Sequence, residues 1–342
     1  MGLGGPAAYL VEVTSHAELR EALQWARAKA LPTIMIGSGS NIIWQDAGFP
    51  GLVLIDKILG YETRQDDEID PTKVYLTIGS GEPWDSVVER SVAAGLTGIE
   101  ALSLIPGSTG ATPVQNVGAY GQEIAQTLMT IEAFDTQASG TLTDNNAQIG
   151  DFVTLRGSDC GFGYRTSRFK MTDRGRFYIT SITLQLTRGK LLPPFYGALQ
   201  TYLEAHNITD YTPLAIRQAV IAIRNSKLPD PAIIHNTGSF FGNPIISDTE
   251  FAQLLKTNTY IPHWSAGEGA VKLSAAWLIE QAGFKAYDDP ETGMATWPQQ
   301  SLVLINKTAH TTADLLKFKQ KIIDAVQGKF NITLQQEPEL LP

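Results

Sequence analysis

The stretch Gly98–Gly121, GIEALSLIPGSTGATPVQNVGAYG, limits what this chain can fold into more than any other. It holds five glycines, two prolines and a single charged residue, Glu100. Glycine and proline at that density interrupt both the helical period and the two-residue period of a strand. Ordinary surface loops carry more charge and less apolar content. An apolar, bent segment rich in backbone N–H groups suits a wall lying against a large ligand. Gly107 and Gly110, flanking Ser108 and Thr109, would let main-chain amides come close to phosphate oxygens. A buried structural crossover fits the same composition, and this stretch alone does not separate the two.

At 342 residues the chain exceeds one average core, so two or three domains are expected. A hydrophobic fraction of 43% with mixed charge indicates a soluble, globular protein. The net charge of −9 leaves no basic surplus to neutralise nucleic-acid phosphates, so a nucleic-acid partner is not expected. Any phosphate-bearing ligand must therefore be held by local amides and a few placed cations. Cys160 is the single cysteine, which excludes a disulfide framework and a cysteine zinc site. His16, His206, His235, His263 and His310 are scattered without metal-ligand spacing, so no metal is expected. The N-terminal MGLGGPAAYLVEV lacks a basic region followed by a long apolar core, and no run approaches a membrane span. A cytoplasmic protein that does not engage membranes is the expectation. GLGGPA reads like the middle of a turn, so a few residues are expected to be missing ahead of it.

Periodicity and punctuation give the coarse order of elements. Tyr9–Val13 reads as a strand, followed by a helix with Ser15 and Glu18 as a capping box and Leu19, Ala22, Leu23, Ala26 and Ala30 on its apolar face. Thr33–Ile36 and Leu52–Ile55 read as strands, making a β-α-β-β unit with the turn Gly37-Ser38-Gly39-Ser40-Asn41 after its second strand. Asp66–Pro71 is acidic and turn-rich, and marks a boundary. Val74–Ile78 is a strand, and Pro83 opens a helix with Trp84, Val87, Val88 and Val92 inward. Leu128–Phe134 and Thr141–Thr143 form a hairpin around Ala138-Ser139-Gly140. Phe177–Leu186 is a strand with Ile182, Leu184 and Leu186 on one face. Thr212 caps a helix from Pro213 to Arg224. Ser247 and Glu250 cap the next helix, and Leu273–Ala282 is an amphipathic one. Ser301–Ile305 is a strand, Thr312–Gln327 a helix, and Ile332–Leu334 a last strand.

Several groups could carry chemistry, and each has a plainer reading beside it. The GSGSN turn after a strand can cradle phosphate, although short Gly/Ser turns are common loops. It is not a dinucleotide GxGxxG, because the third glycine and the following helix are absent. In CGFGYRTSRFK, Arg165 offers a planar fork for a carboxylate or phosphate, against a solvated basic turn. Cys160 beside it reads as a packed residue rather than a nucleophile. Ser239, in the loop NTGSFFGNP, lies in no GxSxG elbow and has no evident His/Asp partner, so a turn serine is its plainer reading. Lys227 and Lys272 are each a possible phosphate contact. Glu337 and Glu339 sit in the tail QQEPELLP, and tails with two acids are usually solvated.

Taken in order, GSGSN, LIPGSTGATPVQNVGAYG, CGFGYRTSRFK, NTGSFFGNP and a terminal EPE resemble the UDP-N-acetylenolpyruvoylglucosamine reductase family, flavoenzymes of peptidoglycan precursor synthesis. The likeness runs through nearly the whole chain. It implies an α+β protein with a two-lobed FAD-binding domain of the vanillyl-alcohol oxidase type and a C-terminal α+β substrate-binding domain. The lobes are expected at 1–66 and 67–225, with the substrate domain at 226–342 and a tail returning to the active site. The resemblance further implies reduction of FAD by NADPH, then reduction of UDP-N-acetylglucosamine enolpyruvate to UDP-N-acetylmuramate.

By the same resemblance Gly37, Ser38, Gly39, Ser40 and Asn41, with Pro106, Gly107, Ser108, Thr109, Gly110 and Thr112, are expected at the FAD pyrophosphate. The 105–112 loop is expected to hold it with backbone amides, while Gln115, Asn116, Gly118 and Tyr120 line the flavin. Arg165 matches the arginine that stabilises the substrate carboxylate, Ser239 the proton donor, and Glu339 the catalytic tail acid, with Glu337 as a substitute. Tyr164, Lys227, Asn243 and Lys272 match substrate contacts, and Tyr196 a tyrosine that folds over bound substrate in one subgroup. The tail stops at Pro342, where many relatives continue with an arginine and an Ile/Gly pair. A monomer is expected. Two rivals remain: an FAD-linked oxidase of the same fold, and a non-catalytic nucleotide-sugar or flavin-binding protein. The first often tethers FAD through a histidine near the phosphate loops, yet no histidine lies between His16 and His206. The second would not retain the Arg165, Ser239 and Glu339 set.

Overall fold

The protein is described from a computed structural model that covers residues 1–65, 70–138 and 150–342. The expected Thr141–Thr143 strand and its turn, and most of the 66–71 boundary, lie outside the described residues. The chain forms two compact units. The larger comprises Ala7–Ser40 and Phe49–Arg224; the smaller comprises Met1–Pro6, Asn41–Gly48 and Asn225–Pro342.

The larger unit contains two main sheets. In the first, Phe49–Asp56 lies between Ala7–Val13 and Thr33–Ile36, all parallel. Helix His16–Ala28 connects the first two strands in sequence and buries Leu19, Leu23 and Ala26. Its cap is half of the expected box: Ser15 Oγ accepts from Glu18 N, but the Glu18 carboxylate takes Thr14 N at 2.7 Å rather than Ser15 N.

The second sheet is antiparallel, in the order Asp151–Arg156, Leu128–Asp135, Phe177–Arg188, Lys73–Gly79, Tyr61–Arg64. Leu96–Thr97 also pairs with the central strand. Alternation along Phe177–Arg188 puts Ile182, Leu184 and Leu186 into a core with Leu76, Ile78 and Ile131. Helix Trp84–Ala93 covers that core with Trp84, Val87, Val88 and Val92. Each such side chain contributes about 1.5–3 kcal/mol by leaving water. A further helix, Gly197–Ala205, packs Leu199 and Leu203 against Ile216 and Val220 of helix Pro213–Lys227.

The smaller unit is built around helix Thr312–Phe330. Thr311 and Asp314 cap it reciprocally, and Leu315, Phe318, Ile322 and Val326 make one buried face. That face packs with Phe240, Phe241, Leu278, Ile279 and Leu304. One antiparallel sheet runs Asn236–Ser239, Gln300–Asn306, Met294–Trp297, Asp288–Asp289; another places Ala270–Leu273 between Ile245–Ser247 and His263–Ser265. The reciprocal Ser247/Glu250 cap is present on Asp248–Leu254.

The 41–48 segment joins this unit because Asp46 is itself a helix cap. Its carboxylate accepts from Thr312 N at 2.7 Å and Ala313 N at 3.0 Å, while Thr312 Oγ1 donates to Trp44 O at 2.6 Å. The expected 1–66 lobe therefore gives up residues 1–6 and 41–48. The expected Ile332–Leu334 strand is not formed; Ile332 and Leu334 instead bury their side chains in the core, and the last strand is Glu339–Leu341. The helix expected over 273–282 runs as Ala275–Ile279 and then a wider turn, Glu280–Phe284, with Gly283 in a left-handed conformation. Among the described residues, no helix is long and apolar enough to cross a membrane.

Candidate active site

In the larger unit the two glycine loops close on each other. Ser40 Oγ donates to Pro106 O at 3.0 Å. A Cβ on Gly107, whose φ is 136°, would stand 3.1 Å from Ser40 Oγ, and one on Gly37 would fall on Ser108 Oγ. Only glycine permits this approach at Gly37. Ser108 is 5% exposed, and its buried hydroxyl finds no hydrogen-bond partner. An orphaned buried donor of this kind needs an explanation, and a ligand oxygen supplies one.

The amides do not fall out as the sequence suggests. Thr109 N donates to Glu82 O at 2.9 Å, Gly110 N to Ser80 O at 2.8 Å, Ala111 N to Ser108 O at 3.1 Å and Thr112 N to Thr109 O at 3.0 Å. The tight turn Thr109–Ala111 consumes those donors, so most of the 105–112 loop is unavailable to phosphate. Among the described residues, the amides of Ser38, Gly39, Gly107 and Ser108 donate to no backbone carbonyl. Those four amides and Ser108 Oγ are the unspent donors of the two touching loops, the kind of donor set a pyrophosphate needs. Asn41 belongs to the smaller unit.

Beyond the cradle the chain is strained. Among the described non-glycine residues with positive φ, Leu104, Asn116 and Tyr120 lie in the 98–121 stretch, and Arg165 lies in the loop packed on it. Such conformations gather where the surroundings over-determine them, often at ligand sites. Asn116 is 1% exposed, and its carboxamide is committed within the protein. Nδ2 donates to Glu123 Oε2 at 3.1 Å and Gly163 O at 3.0 Å, and Oδ1 accepts from Ala125 N at 3.2 Å. Its side chain is a bracket for the arginine loop rather than the flavin contact expected. Arg165 donates to Gly118 O and, at 3.4 Å, to Asn116 O, with Glu123 Oε1 3.9 Å away. Its guanidinium lies 5.1 Å from the Tyr164 ring centre.

Gly118 and Tyr120 lie on either side of Ala119 in the turn joining Gly118–Ala119 to Gln122–Glu123, and Gln115 is half-buried ahead of it. Tyr120 meets Tyr196 edge-on at 6.2 Å between ring centres. Burial pushes both phenols up, and Tyr164 adds to the rise at Tyr196. Glu100, the one charge of the stretch, is fully buried; Gly98 N donates to it at 2.6 Å and Gln122 Nε2 also binds it. Burial pushes its carboxyl up.

Arg224 is a candidate the sequence reading passes over. Burial pushes its guanidinium down, opposed by Tyr120 and Asp85, and its buried Nε has no hydrogen-bond partner. The signal was present: Arg217 and Arg224 are seven residues apart on helix Pro213–Lys227, flanking the buried Val220 on one face. Arg217 is spoken for by Asp85, at 2.6 and 2.9 Å. Arg224 is a desolvated cation in the surroundings of Tyr120.

The smaller unit gathers the remaining residues. Ser239 ends the strand Asn236–Ser239, opposite Val303, rather than sitting in a loop. It is half-buried, and its hydroxyl makes no protein hydrogen bond among the described residues. Asn243 Oδ1 accepts from Ala275 N at 3.0 Å, which joins it to the segment after Lys272. Lys272 lies mid-sheet between Ile245 and Trp264. Lys227 ends its helix, exposed. The tail is not solvated: Glu337 N donates to Phe240 O at 2.9 Å, and Glu339 opens a strand parallel to Ile42–Trp44. The tail thus hydrogen-bonds to the residue that follows Ser239, and both tail acids are half-buried.

Residues 7–144 match the family model described as an FAD binding domain. Residues 230–341 match that of the UDP-N-acetylenolpyruvoylglucosamine reductase C-terminal domain. The chain is 36% identical over 340 residues to the UDP-N-acetylenolpyruvoylglucosamine reductase of Chromobacterium violaceum, covering 99% of this chain and 95% of that one. It is 40% identical over 357 residues to that of Thermobifida fusca, covering 100% and 94%. The crystal structure of the Thermus caldophilus enzyme of that name superposes with a TM-score of 0.63 at 21% identity, over 99% of this chain and 94% of that one. That last likeness bears on the fold alone. With kinship along its full length and family-model matches to both a flavin domain and the C-terminal domain, the chain belongs to the UDP-N-acetylenolpyruvoylglucosamine reductase family of FAD-dependent oxidoreductases.

Proposed function

We propose that this enzyme takes reducing equivalents from NADPH and reduces UDP-N-acetylglucosamine enolpyruvate to UDP-N-acetylmuramate, as a monomer in the cytoplasm. Reduction of that substrate serves peptidoglycan precursor synthesis. The observation that carries the reading is kinship over the whole chain, including both the flavin and the substrate domain. FAD, when bound, supplies the group that accepts hydride from the nicotinamide and delivers it to the substrate. The amides of Ser38, Gly39, Gly107 and Ser108 would hold its pyrophosphate, and Gln115, Gly118 and Tyr120 with Arg224 would line its ring.

The side chains do the rest. Once the enolpyruvyl methylene carbon has gained hydride, the adjacent carbon carries enolate-like charge. Arg165, fixed in place by carbonyls of 116 and 118, meets that charge at the carboxylate where it spreads. The carboxyl group of Glu339 meets it as well. Ser239 then gives its proton to the carbon; a serine is a weak acid, but a carbanion is basic enough to take its proton. Lys227, Lys272 and Asn243 bind the diphosphate and sugar, and the Tyr196 loop closes over the bound substrate. Anaerobic mixing with NADPH should bleach the flavin absorbance, and adding the enolpyruvyl substrate should restore it. Flavin that stays reduced in the presence of that substrate would overturn the reading.

A further inference from the structure

The tail of the smaller unit changes partners at Pro338. Before it, Gly242 N donates to Gln335 O at 3.0 Å and Glu337 N to Phe240 O at 2.9 Å, with Gln336 opposite Phe241. After it, Glu339–Leu341 pairs with Ile42–Trp44, and Glu339 N donates to Asn41 O at 3.0 Å. Pro338 lies buried between the two ladders and has no N–H to give either. The side chain that spans this switch is Gln336. Its Nε2 donates to Pro338 O at 2.7 Å, and its Oε1 accepts from Lys319 Nζ at 3.3 Å. A lysine only donates, so it forces the carboxamide oxygen toward itself and leaves the NH2 for Pro338. Lys319 is itself fixed, because its helix is registered by buried Phe318 and Ile322 on either side of it. Burial pushes its ammonium down.

We propose that Gln336, oriented by Lys319, is a positioning residue that sets the carboxyl of Glu339 for the reduction of substrate. This rests on the reading of Glu339 as the catalytic tail acid. Catalytic groups must be held to about 0.5 Å of their productive geometry, and a displacement of about 1 Å can cost about 100-fold in rate. The ladder to 42–44 holds the main chain from Glu339 N onward, but Pro338 has no N–H to give at the crossover itself. The Gln336 carboxamide bridges that gap by binding Pro338 O.

The test reads reoxidation of dithionite-reduced, FAD-loaded enzyme by UDP-N-acetylglucosamine enolpyruvate. Gln336→Leu should slow that step about 10- to 100-fold with KM nearly unchanged. Lys319→Met should slow it less, in the same step. The deciding comparison is the Glu339→Gln background, where Gln336→Leu should add nothing. Equal slowing in both backgrounds, or no slowing in the parent, overturns the proposal. If Glu339→Gln alone reoxidises at the parent rate, Glu339 leaves the mechanism and the proposal falls with it. Should Gln336→Leu fail to fold, Lys319→Met carries the same two-background comparison.

Discussion

In the larger unit the residues assigned to the cofactor are mostly glycines and small hydroxyl residues, and what they offer is shape and main-chain donors. Ser38, Gly39, Gly107 and Ser108 contribute amides, while Gly37 contributes the lack of a Cβ. In the smaller unit the assignments fall on side chains at strand ends or mid-strand: Ser239, Lys272 and Glu339. The difference decides how each half fails. A main-chain cradle tolerates truncation of its side chains and is damaged by adding atoms. A side-chain set tolerates little truncation, because each hydroxyl or carboxyl has a single job.

The sharpest way to break that contrast is Ser239→Ala. Loss of a general acid costs about 100- to 10,000-fold, and the loss should appear only in reoxidation by substrate. Flavin reduction by NADPH should proceed as before; an equal fall in both half-reactions would remove Ser239 as the proton donor. Gly37→Ala comes next, with the opposite signature. Its Cβ falls on Ser108 Oγ, and overpacking costs about 1–3 kcal/mol, which should weaken FAD binding about 10- to 100-fold. Ser38→Ala, a truncation in the same loop, should leave FAD affinity within about twofold, since its amide is untouched. Titration of the apoprotein with FAD reads both, and a Gly37→Ala protein that binds as tightly as the parent would refute the cradle.

Asn116→Ala tests the scaffold within the larger unit. It strands the half-buried partners of three hydrogen bonds and should cost about 1–2 kcal/mol in urea unfolding. It also frees the Arg165 loop, so KM for the enolpyruvyl substrate should rise. Unchanged stability would mean that Asn116 is held for the ligand and not for the protein.

What was readable in the chain follows the same division. Periodic cores came through: Ile182, Leu184 and Leu186 mark one sheet face, and Leu315, Phe318, Ile322 and Val326 one helix face. Caps with an oxygen at the right spacing came through at Ser247 and Thr212. The placement of Glu339 was not legible, because its strand pairs with Ile42–Trp44, almost 300 residues away and only three residues long. Lys73–Gly79 carries its own alternation, whereas Asp151–Arg156 shows little and forms because Leu128–Asp135 is there to pair with it. The commitment of amides 109 and 110 was invisible for a related reason. Their partners, Glu82 and Ser80, precede the stretch by a helix, and no local pattern announces the meeting.

The smallest expected effect concerns what lies behind the cradle. Asp56 ends the central parallel strand, is 6% exposed, and accepts from Ile58 N at 3.1 Å. Burial pushes its carboxyl from 3.8 up to about 6, with Ser80, the Ile58 amide and Lys57 pulling the other way. A carboxyl whose folded pKa is raised favours the folded state fully below its unfolded pKa. That contribution is lost as pH rises from about 4 through about 6. Of the loss, about 1 kcal/mol should fall between pH 5 and pH 7. Asp56→Asn keeps an oxygen for Ile58 N and cannot ionise, so its stability relative to the parent should rise by that amount between the two pH values. The Ser80 carbonyl also accepts from Gly110 N, so the strand end and the 105–112 loop share one residue. If Asp56→Asn flattens the pH dependence of unfolding but leaves FAD affinity unchanged at both pH values, the cradle is a main-chain device insulated from the charge beneath it. A pH-dependent change in FAD affinity in the parent that vanishes in the variant would show instead that the larger unit, too, depends on a side-chain ionisation.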